Sequence, residues 1–252
     1  MSLISFQRLL TQVISISKST NVTVRTNSLN LFKALLVVTD PHDALEYHKM
    51  AVSELLSLPK SGKTASSEHR TALYSMLSFL PPSEGVSVTL VQATTPLLSK
   101  EPSEAAIAVL ASALPSHIVF LFRQSSLPPE TVRVIAKEMG NTKPAIRKAF
   151  VGLAASVFMG ERPVLDTESG VVFAKTLLPS FESSLKNVSA NPLNNGAFEG
   201  YVAIAVLLGP FVKSKEFGLF CERVRLDLLL IAPFQILPFG RTLWYQISGL
   251  SG

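Results

Sequence analysis

The chain of 252 residues holds one cysteine, Cys221, and one tryptophan, and only 16% of it is charged, against about 25% in ordinary soluble domains. A lone cysteine closes no intrachain disulfide and builds no thiolate cluster, so nothing argues for an oxidising compartment and the cytoplasm is the default expectation. Charge of one sign is not concentrated either. Lys+Arg 23 against Asp+Glu 18 leave +5, which permits contact with nucleic acid or an acidic surface without demanding it. The N-terminal MSLISFQRLLTQVISISK has no basic stretch ahead of its apolar residues and no small-residue cleavage site, so it is not expected to be a signal peptide. Long apolar runs are missing despite a mean hydropathy of +0.35. YVAIAVLLGPFV (201–212) stops at Lys213, and LLLIAPFQILPF (228–239) is broken by two prolines; both fall short of the ~20 apolar residues a spanning helix needs. No membrane partner is expected.

Chemistry-bearing patterns are equally sparse. Ser61-Gly62-Lys63-Thr64 has the tail of a phosphate-binding loop, but Ser57 stands where the first glycine is needed and a helix end where the strand is needed. His42, His48, His69 and His117 are scattered, and the spacing of the first two puts them on different helical faces, unsuited to one metal. They read as surface or cap residues. No glycine context supports a nucleophile elbow, and the 15 phenylalanines sit at helical spacing as core. The expectation is no catalytic residue, no metal, no cofactor and no small-molecule substrate.

What the chain does have is helical periodicity, interrupted by short Pro, Gly, Ser and Asn breaks. Leu29, Phe32, Leu35 and Leu36 share a face, as do Leu73, Met76, Leu77 and Leu80, and, less strictly, Leu45, Met50, Val52 and Leu56. Val86–Val91 comes nearest to strand alternation, but Leu90, Ala93, Leu97 and Leu98 continue a helical face. Ile146, Phe150, Leu153 and Val157 are expected to be buried together. Breaks fall near Pro41, Pro59–Gly62, Pro81-Pro82, Pro102, Pro128-Pro129, Gly140–Pro144, Gly160–Pro163 and Asn191–Gly196. Ser103, Thr142 and Asp166 have the grammar of helix caps.

Helices that open similar units begin near Val22, Ser67, Ser103, Lys143 and Ala197, at separations of 45, 36, 40 and 54 residues. That period is the mark of a HEAT or armadillo array, whose helix pairs bury their apolar faces only by stacking. The expected fold is therefore all-α, a HEAT/armadillo-like α-solenoid of about five helix-pair units over residues 1–220, followed by an atypical C-terminal tail, 221–252, with the look of a truncated or misannotated end. Arg25, Arg70 and Arg147 fall early in three of the unit-opening helices, where a planar guanidinium suits a partly buried acceptor of the neighbouring unit; they are expected to be structural inter-repeat residues. Lys137, Lys143 and Lys148 flank one inter-helix turn and are the candidate ribosome or partner contact.

SEAAIAVLASALPSHIVF followed by KPAIRKAFVGLAASVF, with the earlier NVTVRTNSLNLFKALL and KTASSEHRTALYSMLSFLPP, resembles the N-terminal region of the translational activators known as general control nonderepressible one, in a fungal, truncated form, over roughly residues 20–218. The resemblance implies a non-catalytic cytoplasmic scaffold that associates with ribosomes and cooperates with an ABC-type ATPase. Such a scaffold promotes activation of the stress kinase of initiation factor two alpha in amino-acid starvation and ribosome stalling. It also implies that the kinase-binding segment is absent from this chain. The alternative from another class is a HEAT-type transport or cargo adaptor, which an acidic inner surface would favour; a basic edge favours the ribosome.

Overall fold

The computed structural model describes residues 2–37, 44–60, 66–158 and 167–190, together with 201, 204 and 205. Among these, every regular element is helical, as the periodicity predicts: α1 (Leu3–Ile16), α2 (Val22–Val37), α3 (Ala44–Lys60), α4 (Ser67–Leu77), α5 (Glu84–Leu98), α6 (Glu104–Ala113), α7 (Pro115–Arg123), α8 (Pro129–Glu138), α9 (Pro144–Phe158) and α10 (Glu168–Ala190). They fall into two compact units, Met1–Val134 and Ile135–Gly252. The proposed tail, 221–252, lies outside the described residues, as do His42, Cys221, Asp166 and Ser61-Gly62-Lys63-Thr64.

In the first unit the helices form two layers. Odd-numbered helices pack in succession, α1 on α3, α3 on α5 and α5 on α7, while α2 packs on α4 and α4 on α6; α1–α2, α3–α4 and α5–α6 join the layers. This is the stacked helix-pair arrangement of a HEAT-like α-solenoid, in which each pair closes its apolar face only against the next. The odd helices open at Leu3, Ala44, Glu84 and Pro115, at intervals of 41, 40 and 31 residues. Caps set the openings: Ser2, Ser66 and Ser103 each accept a backbone N–H of the first turn through the side chain, and Asn21 Oδ1 accepts from Thr23 and Val24. Thr167 Oγ1 takes a first-turn N–H of α10, from Gly170 at 3.0 Å.

Three sequence expectations need correction. The buried face of α3 is Tyr47, Ala51, Val52, Leu55 and Leu56; Leu45 and Met50 point elsewhere, because Tyr47, at i−4 from Ala51, sets the register by packing on Phe6 with ring centroids 4.7 Å apart. A break was not expected at Leu114-Pro115, yet α6 ends and α7 begins there. Glu104–Arg123 is long and apolar enough to cross a bilayer on composition, but it is two helices, each packed in the first unit. That extra break places two helices, α7 and α8, between α6 and α9, where a simple repeat needs one. Finally, His117 is no cap or surface residue but is fully buried.

His117 Nδ1 lies 2.9 Å from Ser87 Oγ, joining α7 to α5, and the same oxygen accepts the Ser83 N–H at 3.1 Å. Burial pushes the His117 imidazole below its ordinary value, with the Leu80 backbone partly opposing. His48 and His69 are lowered too, both chiefly by burial. A folded-state pKa below the unfolded value of about 6.5 means that the unfolded chain takes up protons first as pH falls. Stability is therefore expected to be flat from pH 8 to 7 and to decline below about pH 6.5. Urea midpoints across that range check this, with a shallower decline for His117→Gln; a midpoint that rises on acidification contradicts it.

Candidate functional site: a basic inter-helix turn

The turn between α8 and α9 sits on residues whose local folding is dictated by side-chain acceptors. Asn141 Oδ1 takes the Lys143 N–H at 2.8 Å, and Asn141 Nδ2 donates back to Glu138 Oε2, so the asparagine turns the chain between a helix end and a helix start. Pro144 opens α9 at a position where its missing N–H costs nothing. Arg147 Nη1 donates to the Asn141 carbonyl at 2.8 Å and, more weakly, to Thr142 at 3.5 Å. From below, the buried Tyr201 hydroxyl donates to the Met139 carbonyl at 2.7 Å, and its ring lies against Phe181, 6.0 Å between centroids. Burial raises the Tyr201 pKa, which keeps that hydroxyl a donor at any working pH. Sequence reading takes the aromatics as core and gives no sign that Tyr201 pins a turn 62 residues away.

Lys137, Lys143 and Lys148 are all exposed around this turn. Lys137 lies in the last turn of α8, 4.0 Å from Glu138 and 82% exposed. No acidic residue occupies the first turn of α9, so the positive end of that helix adds to the charge of Lys143 and Lys148, with Glu138 at the end of α8 as the acidic neighbour. The three exposed ammonium groups thus stand close together around one turn.

The three arginines divide into two kinds: Arg70 reaches an acidic side chain 31 residues on, while Arg25 and Arg147 each donate to carbonyls of the turn before their own helix. Arg70 of α4 grips Glu101, which lies between α5 and α6, through Nε at 2.9 Å to Oε2 and Nη2 at 2.8 Å to Oε1. Glu101 also accepts the Tyr74 hydroxyl at 3.1 Å and the Ser103 N–H at 3.0 Å. Burial pushes the Glu101 carboxyl up, but Arg70, Ser103 and Tyr74 together outweigh it and hold the group below the usual carboxylate range. Arg25 instead donates to the Ser19 and Thr20 carbonyls, at 2.8 and 2.9 Å, in the turn that opens its own helix. Arg147 makes the same contact at residues six and five positions before it, as above.

The pairing of Ser87 with His117 has two members of a nucleophilic triad, but both are enclosed between α5 and α7 with no exposed surface, so no substrate reaches them. Among the described residues there is no group of three or more His, Cys, Asp or Glu side chains placed to hold a metal.

No curated protein and no solved structure matches the chain. A family match does. It opens at the first residue of α4, so NVTVRTNSLNLFKALL in α2 precedes it, and it includes the Arg70–Glu101 grip, the Ser87–His117 pair and the whole lysine-bearing turn. Residues 67–223, more than half of the sequence, fit the model of the general control nonderepressible 1 (Gcn1) N-terminal region, and the chain belongs to that family.

Proposed function

We propose that this chain is a non-catalytic, cytoplasmic helical-repeat scaffold that associates with ribosomes, as part of a translational activator in amino-acid starvation and ribosome-stalling signalling. On this reading it serves to promote activation of the kinase of initiation factor two alpha, alongside an ABC-type ATPase. The observation that carries the proposal is the family match over residues 67–223; the stacked helix pairs supply a surface suited to holding partners rather than to turning over a substrate. Lys137, Lys143 and Lys148 are the proposed contact to ribosomal RNA phosphates. Such a contact is independent of sequence and weakens with salt, because each neutralised phosphate releases counterion.

Co-sedimentation of the tagged chain with polysomes, titrated with salt, tests the reading. The wild type is expected in the polysome fractions at low salt. Changing all three lysines to glutamate is expected to weaken association and to lower the slope of log affinity against log salt by about 3, with the circular dichroism unchanged. Full association of a folded triple variant removes this edge from the proposal; absence of the wild type from polysomes at every salt concentration removes the ribosome.

A further inference from the structure

Most threonine hydroxyls of the described residues are bonded within their own helix. Thr11, Thr26, Thr71, Thr89 and Thr176 each donate to the carbonyl four residues back, which turns the oxygen toward the backbone. Thr142 differs. It is exposed, it lies outside the helices in the turn between α8 and α9, and among the described residues its hydroxyl has no hydrogen-bond partner; only its carbonyl is used, by Arg147 Nη1 at 3.5 Å. An oxygen so placed is open to a modifying enzyme.

Thr20 is built alike: it is exposed in the turn before α2, and its carbonyl takes Arg25 Nη1 at 2.9 Å. What separates the two threonines is the helix that follows. At α2, Asn21 Oδ1 accepts the N–H groups of Thr23 and Val24, so the helix start is satisfied. At α9, Asn141 Oδ1 accepts only the Lys143 N–H, Pro144 has none to give, and no side-chain oxygen among the described residues accepts from Ala145 or Ile146. The residue holding the cap position is Lys143, whose carbonyl takes the Arg147 N–H at 3.0 Å and whose side chain is a cation. The acidic neighbour, Glu138, is bonded to Asn141, with its side chain 12% exposed. The α9 start therefore lacks an anionic cap that Thr142, one residue before Lys143, is placed to carry.

We propose that Thr142 is a phosphorylation site, and that a phosphate there switches off the lysine edge. The second half rests on the ribosome contact proposed above; the first half does not. A serine/threonine protein kinase with ATP supplies the step: the bond from Thr142 Oγ1 to the γ-phosphorus forms as the bond from that phosphorus to the oxygen bridging it to the β-phosphate breaks, ADP departs, and the hydroxyl proton passes to the base of the kinase. The product adds about −1.5 to −2 charge and three acceptor oxygens at pH 7. That charge cancels at least half of what Lys137, Lys143 and Lys148 carry, so phosphates of an RNA lose the cations they would pair with.

The full chain made with phosphothreonine at position 142 by codon suppression tests both halves. In phosphorus NMR the second pKa of the phosphate is expected at least about half a pH unit lower in the folded chain than in concentrated urea, and Lys143→Gln with Lys148→Gln is expected to shrink that difference. Phosphothreonine at position 142 is expected to raise the melting temperature, and the same group at position 20, before a helix already capped, is not. Association with polysomes at low salt is expected to fall about tenfold on phosphorylation of Thr142. Equal titration of the phosphate in the folded and unfolded chain, or mass spectrometry that finds Thr142 unmodified in chain isolated from its own cells both fed and amino-acid-starved, overturns the site. Undiminished polysome association of the phosphorylated chain overturns the switch. Unphosphorylated chain that never sediments with polysomes removes the switch together with the ribosome reading, while the titration and the mass spectrum still decide the site.

Discussion

Replacing Arg70 with alanine is expected to cost about 3 kcal/mol at pH 7, at the low end of the range for breaking a buried ion pair. The reason is what remains. Glu101 is nearly enclosed, its side chain 3% exposed while that of Arg70 is 19% exposed, so removal of the guanidinium strands a carboxylate that water cannot reach. The Tyr74 hydroxyl and Ser103 N–H still donate to it, but neither carries charge. The loss depends on pH with a definite sign. In the wild type the carboxyl is held below its unfolded value, so its stabilisation is present above about pH 4.5 and is lost as pH falls through the folded value. In the variant the carboxyl loses that support, and protonation relieves the strain, so the gap between variant and wild type narrows on acidification. Glu101→Gln in the Arg70→Ala background is expected to recover part of the loss, since a neutral amide is cheaper to bury than an orphaned charge. Urea denaturation at pH 7 and pH 4 reads all three; a loss under about 1 kcal/mol for Arg70→Ala means the pair is screened like a surface ion pair.

Phe150→Ala is expected to cost roughly 3 to 5 kcal/mol and to lower the melting temperature by on the order of 10 °C. Ile146, Phe150, Leu153 and Val157 are all essentially inaccessible, and Ala149, Val151, Ala154 and Ala155 beside them are buried too. A phenyl ring removed from among small, helix-borne neighbours leaves a space that alanines cannot fill. The same helix supplies a control of opposite sign. Gly152 is exposed, and a Cβ built on it meets nothing within 4 Å, so Gly152→Ala is expected to stabilise by about 0.5 to 1 kcal/mol through helix propensity alone. Calorimetry on the pair checks both; an unchanged melting temperature for Phe150→Ala refutes the burial.

The helical class was legible because burial follows spacing where a helix has one dominant stripe. Leu73, Met76, Leu77 and Leu80 are all buried as their spacing requires, and α5 takes up Val86–Val91 despite its alternation. Periodicity misled at α3, where Leu45 and Met50 compete with Tyr47 and only a partner 41 residues away, Phe6, decides the register. It also missed Leu114-Pro115, because apolar residues run through the break and the proline is the only local mark of it. The three lysines around the α8–α9 turn were readable as an exposed edge from local charge. The Arg70–Glu101 grip was readable from one side only: an arginine early in a helix signals a buried acceptor, but the acceptor is 31 residues on, in a stretch with no signature. The Tyr201 hydroxyl that supports the turn is farther still.

The contact pattern of the first unit also governs how it assembles in time. No helix from α1 to α7 needs more than its next-but-one neighbour to complete the principal packing described above, so the chain closes no loop much longer than about 40 residues to gain its contacts. Folding of such a unit can nucleate at any well-formed pair and spread in both directions. The α5–α7 region, with the buried Ser87–His117 bond, and the α4–α6 pairing clasped by Arg70 and Glu101 are the natural starting points, since each ties together helices that are not adjacent in sequence. The α1–α2 pair, whose principal packing within the unit is against α3 and α4, is then expected to dock last and fray first, its amide hydrogens exchanging faster than those of α5 and α6.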